Sequence, residues 1–144
     1  MAESIIEQKS FQYALAIIRL YMTLQEQREF ERSKQLLRCG TSIGANVVEA
    51  TAGQSRKDFL SKMSIASKEA RETRYWLRLL KKTGFVQVDV SDELVQVEEL
   101  IKILTSIVKT TTEALYGKQN NAWRVEEELE LYSIDDESEM YSFE

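Results

Sequence analysis

Apolar residues recur along this chain at alternating spacings of four and three, the rhythm that lines one side of an α-helix. The first series, Phe11, Leu15, Ile18 and Met22, follows Ser4 and Glu7. Their Ser-x-x-Glu spacing is that of a capping box, in which each side chain bonds the other residue's free amide. It predicts a first helix over 4–26 with those four residues on its apolar face. A second series, Leu36, Gly40, Ile43, Val47 and Ala50, stops near Gly53, a suitable residue just past a helix end, and predicts a helix over about 30–52. Nothing between Gln25 and Glu31 breaks a helix, so these two segments are either continuous or separated by a tight polar turn; the turn is preferred.

Ser55 and Asp58 form another capping pair, and Phe59, Met63, Ala66, Ala70, Thr73, Leu77 and Leu80 keep the same rhythm until Lys81, Lys82 and Gly84 supply a C-terminal signature. At about 1.5 Å per residue this third helix is roughly 40–45 Å long. Phe85 to Val90 alternates apolar and polar, but six residues between two helices predict a connection rather than a sheet strand. The fourth helix opens on Ser91, Asp92 and Glu93 at its positive end. It continues through Leu94, Val97, Ile101, Leu104, Ile107, Val108, Thr111 and Leu115, and ends near Lys118. The chain has no Pro and only five Gly, which suits long helices. Four comparable helices with short links predict an all-α, antiparallel up-down four-helix bundle over 1–118. The pattern fails after Gln119, and 119–144 is expected to be an acidic C-terminal tail, either disordered or docked on the bundle.

A chain of 144 residues, 43% of them hydrophobic, can bury a core without a disulfide or a metal. It has no His, which removes Ser-His and Cys-His nucleophile pairs and His-containing zinc sites. Cys39 is the only cysteine; it can form neither an internal disulfide nor a multi-thiolate site and reads as a small buried hydrophobe. Met1 to Ser10 lacks the order of a secretory signal, and no run approaches the roughly 18 apolar residues of a membrane span, so a cytoplasmic protein without a membrane partner is expected.

The net charge of −5 conceals a division. Residues 1–118 hold 18 basic and 15 acidic residues, whereas 119–144 hold Arg124 against nine acids. The segment 28–82 alone has 13 basic and six acidic residues, a net +7. A basic middle therefore precedes an acidic end.

The run from Gln35 through Arg38, Gly40, Ser42, Gly44 and Asn46 to Glu49 and Ala50 resembles the second-helix signature of the bacterial four helix bundle protein family, also known as the 23S rRNA intervening-sequence proteins. Asp58-Phe59, Ile65-Ala66, Glu69-Ala70-x-Glu72, Tyr75-Trp76-Leu77 and Thr83-Gly84-Phe85 resemble its third-helix pattern in the same order. The likeness covers about residues 5–115; the acidic tail departs from it. It implies an up-down bundle assembled as a homopentameric, tapered barrel. It also implies kinship with the accessory variability determinant of diversity-generating retroelements, which partners a reverse transcriptase and engages nucleic acid through a basic barrel surface. Fold analogy alone does not assign a function.

On the third helix Lys57, Lys68, Arg71, Tyr75, Arg78 and Lys82 follow their own rhythm, two residues and hence about 200° from the apolar stripe. Such a row is either a solvated face or a track for phosphates, with Tyr75 as a base-stacking plane. On the second helix Arg38, Ser42, Asn46 and Glu49 flank the apolar seam. Together with Glu69 and Glu72 they read as a structural polar network fixing helix register. A carboxylate metal site pairing Glu49 with Glu69 or Glu72 is the catalytic alternative, but no ligand motif supports it. Gly40, Gly44 and Ala45 permit close helix approach, and Trp76 and Leu79 serve either the core or a subunit contact. The tail is a solubilising end or a competitor for the third-helix cations.

These readings favour a non-enzymatic, homo-oligomeric scaffold without cofactors, binding RNA or DNA through its basic face and accessory to a reverse transcriptase or another nucleic-acid enzyme. The alternative is a protein-only adaptor docking through its acidic tail.

Overall fold

The computed structural model describes residues 3–84 and 86–117; the acidic segment 119–144 lies outside the described residues. Four helices follow one another: α1 (Ile5–Glu26), α2 (Glu31–Thr51), α3 (Arg56–Thr83) and α4 (Ser91–Tyr116). Ser4 caps α1 with the reciprocal box expected of it: Glu7 N donates to Ser4 Oγ at 3.3 Å and Ser4 N donates to Glu7 Oε2 at 2.8 Å. Ser55 Oγ accepts from Asp58 N at 3.1 Å to start α3, and Gly84 ends it in the left-handed region at φ 59°.

Side-chain contacts give the direction of each pair. Gln25 meets Ser33 and Gly40 faces Ile17 across α1 and α2. Arg38 meets Glu72 while Glu49 meets Lys62 across α2 and α3. Arg74 meets Glu98 and Arg71 meets Thr105 across α3 and α4. Lys9 meets Glu99 and Tyr13 meets Glu93 across α4 and α1. In every pair the higher number on one helix meets the lower on the other, so adjacent helices run antiparallel and the chain closes into an all-α four-helix bundle.

The α1–α2 link is a turn, and its geometry falls on an unexpected residue: Arg28 sits at φ 61° with no glycine to ease it. The next residues repay that strain locally. The buried Glu29 carboxylate accepts from Arg32 N at 3.0 Å and from Arg32 Nη2 at 2.9 Å, capping α2 where Phe30 supplies no side-chain acceptor. The α3–α4 link forms no strand among the described residues. Its alternation instead turns Val86 and Val90 into the core and leaves Val88 half-buried against it. Gln27 and Gln87 bond reciprocally across the same end, at 3.2 and 2.7 Å.

The core confirms the apolar stripes of α2, α3 and α4. Leu36, Gly40, Ile43, Val47 and Ala50 are all buried, as are Met63, Ala66, Ala70, Leu77 and Leu80 on α3 and Val97, Ile101 and Leu104 on α4. The α1 stripe requires correction. Its buried side is Ile6, Ser10, Tyr13, Ile17, Leu20 and Leu24, whereas Phe11 (60% exposed), Ile18 (41%) and Met22 (61%) face outward. This helix carries two four-and-three series, and the inner one includes the polar-tipped Ser10 and Tyr13, so the wholly apolar outer series reads as the core side.

Tyr13 ties α1 to the start of α4. Its buried hydroxyl donates to Glu93 O at 3.1 Å, and burial first, then the nearby Glu93 charge, push its pKa well above the usual tyrosine value. Half-buried Glu93 has Oε2 sealed from solvent without a hydrogen-bond partner among the described residues. Burial raises its pKa; a backbone hydrogen bond opposes this, and the Asp92 and Asp89 charges add to it. A raised native pKa means the folded chain holds that proton more tightly than the unfolded one. Stability therefore falls as pH rises from the ordinary glutamate value through the native one. Glu93→Gln removes this loss, so its stability relative to the parent is expected to be greater at pH 7 than at pH 4 in urea unfolding. An equal difference at both pH values contradicts the assignment.

Candidate nucleic-acid interface

In a ring of four helices the α3–α4 edge lies opposite the α1–α2 edge. The two edges differ in chemistry. On α3, Lys57, Lys68, Tyr75 and Lys82 are exposed and Arg71 and Arg78 half-buried, so the basic row stands outside the core. Over the residue steps from Lys57 to Lys82 it extends about 37 Å. Tyr75 is 55% exposed and packs edge-on to Trp76, with ring centroids 5.4 Å apart and planes at 74°. The tyrosine face is thereby held as a fixed plane suited to stacking. Trp76 packs partly buried against the core, with its indole N–H sealed off and without a hydrogen-bond partner among the described residues.

Arg71 leans across to α4, where its Nη2 donates to Thr105 Oγ1 at 3.3 Å. Thr105 belongs to an α4 row, Glu98, Lys102, Thr105 and Lys109, that the sequence reading passed over although it repeats at four, three and four. Lys102 and Lys109 are exposed on it and broaden the ridge onto the second helix. Arg74 was also missed. It is buried at 4% exposure, and its Nη1 donates to Glu98 Oε1 at 3.2 Å and Oε2 at 3.3 Å. Its signal was a cation four residues after Ala70 and three before Leu77, squarely on the buried stripe. Such a charge has to be paired at the α3–α4 seam, because burying it alone costs several kcal/mol.

The polar set on α2 resolves into three separate arrangements. Arg38 bridges to α3, where its guanidinium bonds Glu69 at 3.3 Å and Glu72 more closely, and Gln35 accepts from the same group at 3.2 Å. Ser42 and Asn46 bond along their own helix: Asn46 Nδ2 donates to Ser42 O at 2.8 Å and Ser42 Oγ at 3.2 Å. Glu49 pairs with Lys62 at 3.0 Å, a hydrogen bond and then a charge that hold the Lys62 pKa above its usual value. Glu49 is therefore tied to a different partner from Glu69 and Glu72. Among the described residues no three acidic or sulfur side chains gather where a metal ion would sit. Cys39 is buried, and desolvation pushes its thiol pKa up to about 12, the mark of an inert core thiol.

The opposite edge is apolar. Phe11, Ile18 and Met22 face outward along α1, and at one end of this edge Phe11 stands across from Val48 of α2, which is 60% exposed. Between them runs a groove of about 400 Å³ floored by Ala14, Gly44 and Ala45. Gly44 keeps this floor low, since a Cβ there would meet Ser10 O at 3.3 Å. No described helix is long and apolar enough to cross a membrane.

The chain is thus an antiparallel four-helix bundle with one basic and one apolar edge, and comparison with known proteins narrows its class. The family described as 23S rRNA-intervening sequence protein matches residues 2–106, and the chain belongs to that family. It is similar to a Bacteroides thetaiotaomicron protein of unknown function from the S23 ribosomal protein family, whose crystal structure superposes with a TM-score of 0.70. The two share 47% identity over 73% of this chain and 99% of the other. No curated protein matches the chain.

Proposed function

We propose that this protein is a non-enzymatic homo-oligomeric scaffold of the cytoplasm. Its α3–α4 ridge binds the phosphates of RNA or DNA, as an accessory to a nucleic-acid enzyme of the reverse-transcriptase kind. The observation that carries this reading is the ridge itself. Lys57, Lys68, Arg71, Arg78 and Lys82 on α3, joined by Lys102 and Lys109 on α4, stand outside the core around an exposed, oriented tyrosine. Cations about one helical turn apart suit a phosphate backbone, and stacking on Tyr75 adds sequence-tolerant affinity. The α1–α2 edge supports assembly, because large outward apolar side chains grouped on one face mark contact surfaces. Five copies is the number the family resemblance implies.

Binding of mixed-sequence RNA and DNA should be titrated against salt. Each phosphate contact contributes roughly 0.7–0.9 to the slope of log affinity on log salt, so replacing Arg71 and Arg78 by alanine should flatten it by about 1.5. Equal, weak binding before and after the change points instead to a scaffold that recruits protein only.

A further inference from the structure

The same chain encodes a polyanion. Glu126, Glu127, Glu128 and Glu130 form one acidic cluster and Asp135, Asp136, Glu137 and Glu139 a second. Trp123, Tyr132, Tyr141 and Phe143 are spaced around them. Anionic clusters alternating with rings present the two groups that a single nucleic-acid strand offers, phosphate charge and stacking planes.

We propose that the acidic segment 126–144 of this chain docks on the α3–α4 ridge and occupies the phosphate positions, so that nucleic acid binds by displacing it. The identity of the competitor rests on the function proposed above; the docking does not.

The last described residues end near the ridge. Thr111, near the end of α4, shares a pocket with Ser55, Arg56 and Phe59 in the first turn of α3. The chain therefore leaves the bundle at Gly117 beside the end of the ridge that Lys57 occupies. From there the 27 residues that follow could reach up to about 89 Å when extended, more than twice the ridge's length of about 37 Å. Charge selects the ridge over the other open surfaces. The α1–α2 groove is lined by Glu7 and by the Glu49 that pairs with Lys62, and it offers an acidic segment no cation. The α1–α4 groove offers only Lys9 and Arg19, beside Glu99. Seven cations on one edge against nine carboxylates in the tail form the complementary pair, and at physiological salt such attraction acts over about 8 Å, so the tail has to lie on the ridge to feel it.

The test uses the full chain and a full-length variant carrying E126Q, E127Q, E128Q, E130Q, D135N, D136N, E137Q and E139Q. The first readout needs no nucleic acid. Carbodiimide coupling at low salt should join tail carboxylates to Lys57, Lys68, Lys82, Lys102 or Lys109, as mapped by mass spectrometry, and high salt should abolish these products. In the second, the neutralised variant should bind a mixed-sequence single-stranded RNA about tenfold more tightly than the parent at low salt, with the difference closing as salt rises. Couplings absent from those lysines, or found chiefly elsewhere, overturn the docking. Equal RNA affinity of two forms that both bind overturns the competition. Ridge couplings without RNA binding by either form sustain the docking and sink the nucleic-acid reading instead.

Discussion

Replacing Ile18 and Met22 together by aspartate is expected, on the homo-oligomer proposed above, to yield single chains of 16.7 kDa, read by light scattering coupled to size exclusion, with helix content by circular dichroism unchanged. The two side chains stand 41% and 61% exposed in the single chain, so charging them removes nothing from its core. What they lose, in the proposed assembly, is an apolar neighbour. Fully burying a side chain of this size is worth about 1.5–3 kcal/mol, and a carboxylate in the same place costs desolvation as well. Two such changes repeated at every contact of a closed assembly outweigh an ordinary subunit association. The parallel variant Gln12→Asp, on the α1–α4 side of the same helix, should leave the mass unchanged. Retention of the oligomer in the double aspartate variant would show that α1 and α2 do not form the contact.

That outer face explains the one helix whose core side was misread. The stripes of α2, α3 and α4 were legible because each of those helices has a single apolar side. On α1 two stripes coexist, and a rhythm of four and three identifies a buried side without saying whether it is buried by the same chain or by another. Tyr13 and Ser10 weakened the inner signal because both are polar at the tip, yet each is satisfied inside: Tyr13 donates to Glu93 O and Ser10 to Glu7 O, at 3.1 and 3.2 Å. The turn at Arg28 was legible only as an absence of contrary signal, since no glycine or asparagine marks its left-handed residue.

The basic row on α3 was readable because one helix carries all of it. The extension through Lys102 and Lys109 depends on how α4 is rotated against α3. That rotation is fixed by Arg71 with Thr105 and Arg74 with Glu98, pairs 34 and 24 residues apart in sequence. The polar set on α2 shows the converse. Arg38, Ser42, Asn46 and Glu49 share a side, but only Arg38 and Glu49 are long enough to reach α3, and Asn46 closes on Ser42 instead. Helical spacing tells which residues share a side; reach and partner position decide which of them act together.

The closest backbone approach yields the sharpest test of stability. A Cβ on Gly40 would stand 2.8 Å from both γ carbons of Ile17 and 3.2 Å from its Cβ, and Ile17 is fully buried. Because the Cβ cannot swing aside, Gly40→Ala has to move α1 from α2 or force Ile17 off its rotamer, a cost of about 1–3 kcal/mol. Alanine offsets about 1 kcal/mol as the better helix former, so the net loss should be roughly 0–2 kcal/mol despite the favourable propensity. Ile17→Ala alone should cost about 2–5 kcal/mol through the cavity it leaves. The double variant should then lose less than the sum of the single ones by about 1–3 kcal/mol, because the new methyl enters the space that Ile17 vacates. Urea unfolding of all four proteins closes the cycle. Simple additivity would mean that α1 and α2 are not held apart by this pair, and a stabilised Gly40→Ala protein would place the helices farther from each other than the 2.8 Å separations allow.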